Sequence, residues 1–290
     1  VKRIVILLLV ITGLYIIYTQ ALQFDWFNSD NNNKDGKASI TDNIDMIEVN
    51  ISSINTMIIP EDRKDLKVVY TGKQKLTVAE KGDKVEVSLK SKGFDWFNWF
   101  TPSEKKKLKI FIPEKYDRNM NIKVGSGNVN FTGQSKSNPV KLEELTIDIG
   151  SGNMQLQNLV IKRFEHNGAS GNVDIDSLKT ETGSFDLSSG RLDVKHYTGA
   201  IKANVASGKL NFQLDKLTDP IDIEVTSGSV GLNLPKNADF TLNGDVTSGN
   251  ITCDIPLTSK ENKHRSIKGK HGSGKYKINL ELTSGNIHIK

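Results

Sequence analysis

The sequence predicts an all-β solenoid carried behind one N-terminal transmembrane helix. Three observations predict it: a long uncharged apolar run at the start, apolar residues alternating with period two from Ile44 onward, and a Ser-Gly pair that returns nine times in the second half. After the initial apolar run the period of 3.6 that marks an amphipathic helix is not found.

Lys2 and Arg3 precede the apolar run, and no charge follows until Asp25. Residues 4–24 thus form a 21-residue uncharged stretch, close to the ~20 residues a helix needs to cross a bilayer. The two cations before it, with Asp25 and Asp30 after it, orient it N-inside, so a single-pass anchor places the ectodomain on the outer face of the cell membrane. A cleavable signal peptide competes, because Thr19-Gln20-Ala21 imitates a small-x-small cleavage site; no lipobox cysteine is present.

Residues 25–43 read as a flexible linker, since 28–39 are polar, Asn-rich and without periodicity. Residues 44–113 read as an N-terminal β region, with strands over 47–51, 66–70, 84–89 and 108–112 separated by Gly, Pro and Asp turns. Residues 114–290 carry the repeat. Ser-Gly pairs begin at 126, 151, 170, 189, 207, 227, 248, 273 and 284. Two and four residues after each Gly the chain is apolar, as at Val129 and Phe131 or Ile287 and Ile289, with one polar or small residue between. Two residues before each Ser it is aliphatic except at Gly168 and His271. One such unit has a single inward stripe and closes no core; units stacked on one another do, which is the logic of a solenoid. Gly is expected to supply the positive φ of each corner, and Asn128, Asn153, Asn172, Asn250 and Asn286 to stack in a ladder. A propeller needs blades about twice as long, and an antiparallel β-sandwich is the alternative fold.

The chain has 25% charged and 36% hydrophobic residues and a net charge of +5, with Lys and acidic residues interleaved. No dense basic block or stacking module suggests nucleic acid. One cysteine, Cys253, excludes an intrachain disulfide, and its repeat position is otherwise aliphatic or aromatic, so it reads as a small buried hydrophobe. His166, His196, His264, His271 and His288 lack metal-ligand spacing, so no metal and no cofactor is expected. The GKHGSGKY stretch beginning at Gly269 nearly spells a phosphate-binding loop, but Tyr276 stands where Ser or Thr must meet a metal; another Ser-Gly corner is the simpler reading. Stacking sets Asp174 beside Asp193, and Glu224 beside Asp245, at about 5 Å, the spacing of a retaining glycosidase pair. Outward strand positions are normally polar, so the enzymatic reading ranks last.

The sharpest feature outside the repeat is aromatic. Phe24-Asp25-Trp26-Phe27-Asn28 follows the apolar run, and Phe94-Asp95-Trp96-Phe97-Asn98 reproduces it, extended by Trp99 and Phe100. All three tryptophans lie in these two segments. Phe24, Trp26 and Phe27 suit the interfacial belt of a membrane. Phe94, Trp96, Phe97, Trp99 and Phe100, flanked by Lys90, Lys92, Lys105, Lys106 and Lys107, suit contact with an anionic bilayer surface or a partner pocket. Capping of the solenoid end is the competing role for these rings.

The serial V-x-S-G-N-V units from Val124 onward, the N-terminal anchor and the Ile/Val-rich strands ending at Ile112-Pro113 resemble the LiaG-like adhesin family, whose β-repeat region is called the toastrack domain. The resemblance covers most of residues 44–290. It implies a single-stranded right-handed parallel β-helix and association with envelope-stress signalling membrane proteins, and it supplies no catalytic residues. The expected function is a non-enzymatic envelope-stress sensor or interaction platform. A surface adhesin or wall-polymer binding module is the alternative, and a polysaccharide-cleaving enzyme the third reading. Membrane lipid, envelope-stress membrane proteins or anionic wall polymer are the expected partners, and nucleic acid is not.

Overall fold

The computed structural model describes residues 33–72, 74–90, 106–263 and 265–290. The segment expected to cross the membrane, residues 4–24, together with Phe24, Trp26 and Phe27, and Phe94, Trp96, Phe97, Trp99 and Phe100, lies outside the described residues. Among the described residues no helix is long and apolar enough to cross a membrane.

The chain runs through β1 (Asn33–Ser39), β2 (Met46–Ile51), β3 (Asn55–Glu61), β4 (Asp65–Thr71), β5 (Lys75–Lys81), β6 (Lys84–Lys90) and β7 (Lys107–Pro113). β8 (Asn119–Val124), β9 (Asn128–Thr132) and β10 (Val140–Ile149) lead into three long strands, β11 (Asn153–Gly168), β12 (Asn172–Leu187) and β13 (Arg191–Val205). It ends with β14 (Lys209–Leu214), β15 (Ile221–Val225), β16 (Ser229–Asn233), β17 (Phe240–Val246), β18 (Asn250–Cys253), β19 (Thr258–Lys263), β20 (Ser266–His271), β21 (Tyr276–Leu282) and β22 (Asn286–Ile289). The tether expected over 25–43 is shorter than its composition suggests, because β1 pairs antiparallel with β4 from Asn33. No break falls at 113: β8 and β9 stack directly on β2 and β3.

This is a β-solenoid whose walls meet at the Ser-Gly corner. The first wall, entering the corner, is a parallel stack in which β6, β2, β8, β10, β11, β12, β13, β15, β21 and β17 are successive neighbours. The second wall, leaving the corner, stacks β7, β3, β9, β11, β12, β13, β14, β16, β22 and β18. In the middle layers a short third side joins them, turned at Asn158, Ser177 and His196 with φ of 56°, 60° and 54°. These three left-handed residues are spaced by one layer, a corner that the glycine pattern does not reveal.

Layer order departs from chain order at both ends. The even succession of Ser-Gly units expected from the sequence holds from Ser126 to Ser227, where each Ser amide bonds a carbonyl of the layer before. After Ser227 the next layer is Ser284, bonding Thr226 O at 2.8 Å, and Ser248 follows by bonding Thr283 O at 2.8 Å. The last coil in sequence is thus slotted inside the one before it. Likewise β2 lies between β6 and β8 although β6 comes later in the chain. Ser273-Gly274 is no corner at all; it sits in the turn between β20 and β21. Eight of the nine pairs form the column.

The glycines of that column are needed mainly for close approach. φ is positive at Gly190, Gly249 and Gly285 only, whereas a Cβ on Gly171 would lie 2.7 Å from Gly152 O and one on Gly228 2.5 Å from Gly208 O. Any side chain there pushes two backbone layers apart.

Strands alternate buried and exposed residues, and the inward set fills one continuous core. At its middle Phe185 meets Phe164, Tyr197 and Phe212 at centroid distances of 5.5, 5.9 and 4.9 Å. Tyr197 is fully buried; its hydroxyl donates to Ala200 O at 2.6 Å and lies 2.7 Å from Thr180 Oγ1. Gly168, an exception in the aliphatic column, is explained by His166, whose buried ring occupies the space a Cβ would need. Antiparallel strands cover most wall ends: β5 on β6, β4 on β7 with β1 outside it, and β20 on β17 with β19 outside it. Covering edges in this way removes templates for unwanted strand pairing.

Candidate functional site

The outward residues of the second wall form rows, because register brings the same position of each layer into line. The first row begins as asparagine: Asn128 Nδ2 donates to Asn55 Oδ1 at 2.8 Å, Asn153 to Asn128 at 2.9 Å and Asn172 to Asn153 at 3.0 Å. The expected ladder therefore exists in the first half, extended by Asn55. Asn250 and Asn286 are register neighbours at the other end. The inner rungs, Asn128 and Asn153, each spend one N–H and one oxygen lone pair on their neighbours and keep one of each for solvent, at the strand spacing of about 4.8 Å.

The second row carries Met57, Asn130, Gln155 and Asp174. Asn130 Nδ2 donates to Gln155 Oε1 at 3.3 Å. Met57 is 46% exposed, the one large hydrophobic side chain so open among the described residues. Together with Lys107 and Lys109 of β7, the second row and Asn55, Asn128 and Asn153 of the first line a groove of about 620 Å³. Its donors and acceptors are mostly uncharged amides, fixed by the ladder and repeated layer by layer, beside the exposed thioether of Met57. Such a surface offers hydrogen bonds to a ligand that itself repeats polar groups.

Further along the same wall, Gly231 leaves a notch over Asn211, with Lys195, Lys209, His288 and Lys290 around it. His288 is held by Asp254 at 2.7 Å. Asp174 and Asp193 do share a register position, as expected. Arg191 reaches both, pairing closely with Asp193 and lying 3.8 Å from Asp174, and Asn211 donates to Asp193. Glu224 and Asp245 are not adjacent, because the inserted last coil puts Glu281 between them.

Cys253 is half-buried rather than enclosed, since its strand is the outermost of the second wall; burial raises its thiol pKa. His196 pairs with Asp215 at 2.9 Å, and His271 lies 2.8 Å from Pro256 O and stacks on Phe240; His264 is outside the described residues. Among the described residues no group of three His, Cys, Asp or Glu stands ready for a metal. The loop that imitates a phosphate-binding motif already holds an anion of its own: Asp239 accepts from Ser273 Oγ at 2.7 Å, Gly274 N at 2.6 Å and Lys275 N at 3.0 Å. These bonds lower the Asp239 pKa.

Sequence reading missed Asn55 and Met57 because their corner is Ser52-Ser53-Ile54 and lacks the Ser-Gly signal. It missed Lys107 and Lys109 as groove residues because the layer order that puts β7 against β3 is not written in the repeat.

Fold and surface together define a parallel β-solenoid with an amide-lined outer wall. The chain belongs to the Toastrack DUF4097 family, whose pattern matches residues 44–290. A solved structure from Parabacteroides merdae, a candidate adhesin, is similar at TM-score 0.54 and 14% identity, covering 90% of this chain and 98% of that one. Another from Parabacteroides distasonis, a candidate lipid-binding protein, is similar at TM-score 0.52 and 18% identity, covering 91% and 99%. At these identities the likeness is one of fold. Among curated proteins none matches the chain.

Proposed function

We propose that this chain is a non-enzymatic interaction module of the cell envelope, tethered to the outer face of the membrane by residues 4–24, with the amide wall as its docking face for a polar surface polymer. The observation that carries this reading is the fixed ladder of Asn55, Asn128, Asn153 and Asn172 beside the groove at Met57. The adhesin description of the Parabacteroides merdae structure is in keeping with it. The test is sedimentation of the full chain with purified cell-wall sacculi stripped of anionic polymer. Replacing Met57, Asn130 and Gln155 together by Ala is expected to weaken co-sedimentation at least tenfold, about 1.4 kcal/mol. Unchanged binding would remove the amide wall as the docking face.

Envelope-stress sensing belongs to the same proposal through Trp96 and its neighbours, which would hold a membrane protein or lipid while the wall engages polymer. A photo-crosslinking residue at Trp96 in living cells tests this part. Capture of a membrane protein supports a signalling assembly, lipid adducts support docking on the bilayer, and no capture by a folded protein returns the rings to a capping role.

A further inference from the structure

The net charge of the chain is concentrated at one end of the solenoid. Residues 258–277 hold Lys260, Lys263, Arg265, Lys268, Lys270, Lys275 and Lys277 against Glu261 alone. That is six positive charges in twenty residues, and since the whole chain carries +5, everything else sums to −1. The uniform interleaving of charges read from the sequence fails in this segment.

Register gathers these cations. β20 is antiparallel to β17, and β21 is parallel to it on the other side, so Lys270, Thr241 and Lys277 lie in one row across three strands. Lys268 follows Lys270 on the same outward face of β20, the intervening Gly269 being buried. The two are thus about 7 Å apart along the strand, and Lys270 and Lys277 about 10 Å apart across it. Lys260, Arg265, Lys268, Lys270, Lys275 and Lys277 are all exposed, and none has a carboxylate within ion-pair distance among the described residues. Elsewhere in the solenoid Glu48 holds both Lys84 and Lys123, and Glu143 and Glu144 hold Lys162 and Arg163.

Protection of an open sheet edge explains lysines on β19, the outermost strand, but not those on β20 or β21, which are flanked on both sides. We infer that this cationic end is a docking surface for a polymer of repeating phosphate esters, such as a polyol phosphate chain. Lys ammonium groups on a rigid sheet meet successive phosphates as point charges. A bilayer fits less well, because membrane docking draws on exposed apolar groups and the large exposed hydrophobic among the described residues, Met57, is on a different layer at the other end. A nucleic acid would seek aromatic stacking, and the nearby Tyr276 ring is covered by Lys275 at 4.9 Å. This surface goes beyond the proposed amide wall and is separable from it.

The test uses the full chain in neutral lipid nanodiscs and fluorescently labelled poly(glycerol phosphate), with anisotropy read at several salt concentrations. K268Q/K270Q/K277Q is expected to weaken binding at least tenfold and to lower the slope of log K against log salt by about 2 to 3. K141Q/K179Q/K202Q, which removes the same charge elsewhere, is expected to stay within twofold of the parent, as is the amide-wall variant. Equal loss in the control triple would reduce the effect to overall charge and overturn the inference. So would failure of the parent to bind, or stronger competition by phosphatidylglycerol vesicles or duplex DNA at equal phosphate. Unchanged sacculus binding by the amide-wall variant, with polymer binding lost only in K268Q/K270Q/K277Q, would sink the amide wall and leave this surface standing.

Discussion

His166 is the most deeply buried polar side chain in this core among the described residues. It points inward in register with Ile147 and Phe185, it is fully buried, and neither ring nitrogen has a hydrogen-bond partner. Burial pushes its pKa down to about 4 from 6.5, and the carboxylates of Asp186 and Asp148 on the outer face recover only part of that. The folded chain therefore refuses a proton that the unfolded chain accepts below about 6.5, so stability falls with pH from there toward about 4. Between pH 7 and pH 5 the loss should be about 2 kcal/mol. The carboxylates with lowered values, such as Asp65 and Glu86, lose their contribution at more acid pH, below the interval from 5 to 6.5 in which His166 acts. Replacing His166 by Leu is expected to flatten the melting temperature over that interval; an unchanged slope would put the acid sensitivity elsewhere. Tyr197 gives a second check. Tyr197→Phe strips Ala200 O and Thr180 Oγ1 of their buried partner and is expected to cost about 1–3 kcal/mol in a denaturant titration.

At the scale of the element, the Ser-Gly corner separates a necessary residue from a tolerated one. Gly171→Ala would set a Cβ 2.7 Å from Gly152 O and 3.0 Å from the Ile149 side chain, and backbone cannot yield as a flexible side chain does. A loss of about 1–3 kcal/mol is expected from such overpacking, whereas Ser170→Ala, at an exposed position, should stay within about 0.5 kcal/mol. Comparable melting curves for the two variants would mean that the corner widens freely. The corner itself was legible because its chemistry is local: a small residue, a glycine and an apolar–polar–apolar strand recur together. The corner at Asn158, Ser177 and His196 was not, since three different residue types carry one left-handed turn. The turn at Ser273 shows the converse, a correct motif letter by letter whose amides close on Asp239 instead of stacking. The Asn ladder was half legible: the residue types were visible, but the partner from Asn55 depends on which layer lies next.

For the whole molecule, the order of layers is the property that repeats cannot encode. A solenoid unit specifies a corner and two walls, and every unit fits on every other, so the sequence predicts the stack and leaves the permutation open. The choice is made by what each end must cover. At the C-terminal end, β21 and β22 enter between β15–β16 and β17–β18, pairing with strands on both sides. The outer layer is then formed by β17, covered by β20, and by the short β18, which pairs on one side with β22 alone. That arrangement reverses the usual expectation that chain ends fray first. In hydrogen exchange, amides in and next to β22 that bond the layer beneath, such as Ser284 to Thr226 O, Asn286 to Gly228 O and Lys290 to Leu232 O, should be protected like those of β15 and β16. β18 and β19, although earlier in the chain, should exchange first, because each has a partner strand on one side only. Faster exchange in β22 than in β18 would mean that the last coil sits outermost in solution. Glu224 and Asp245 would then be neighbours again, and the row of Lys270, Thr241 and Lys277 would lose its inner member, so this one measurement bears on the layer order and on the cationic end together.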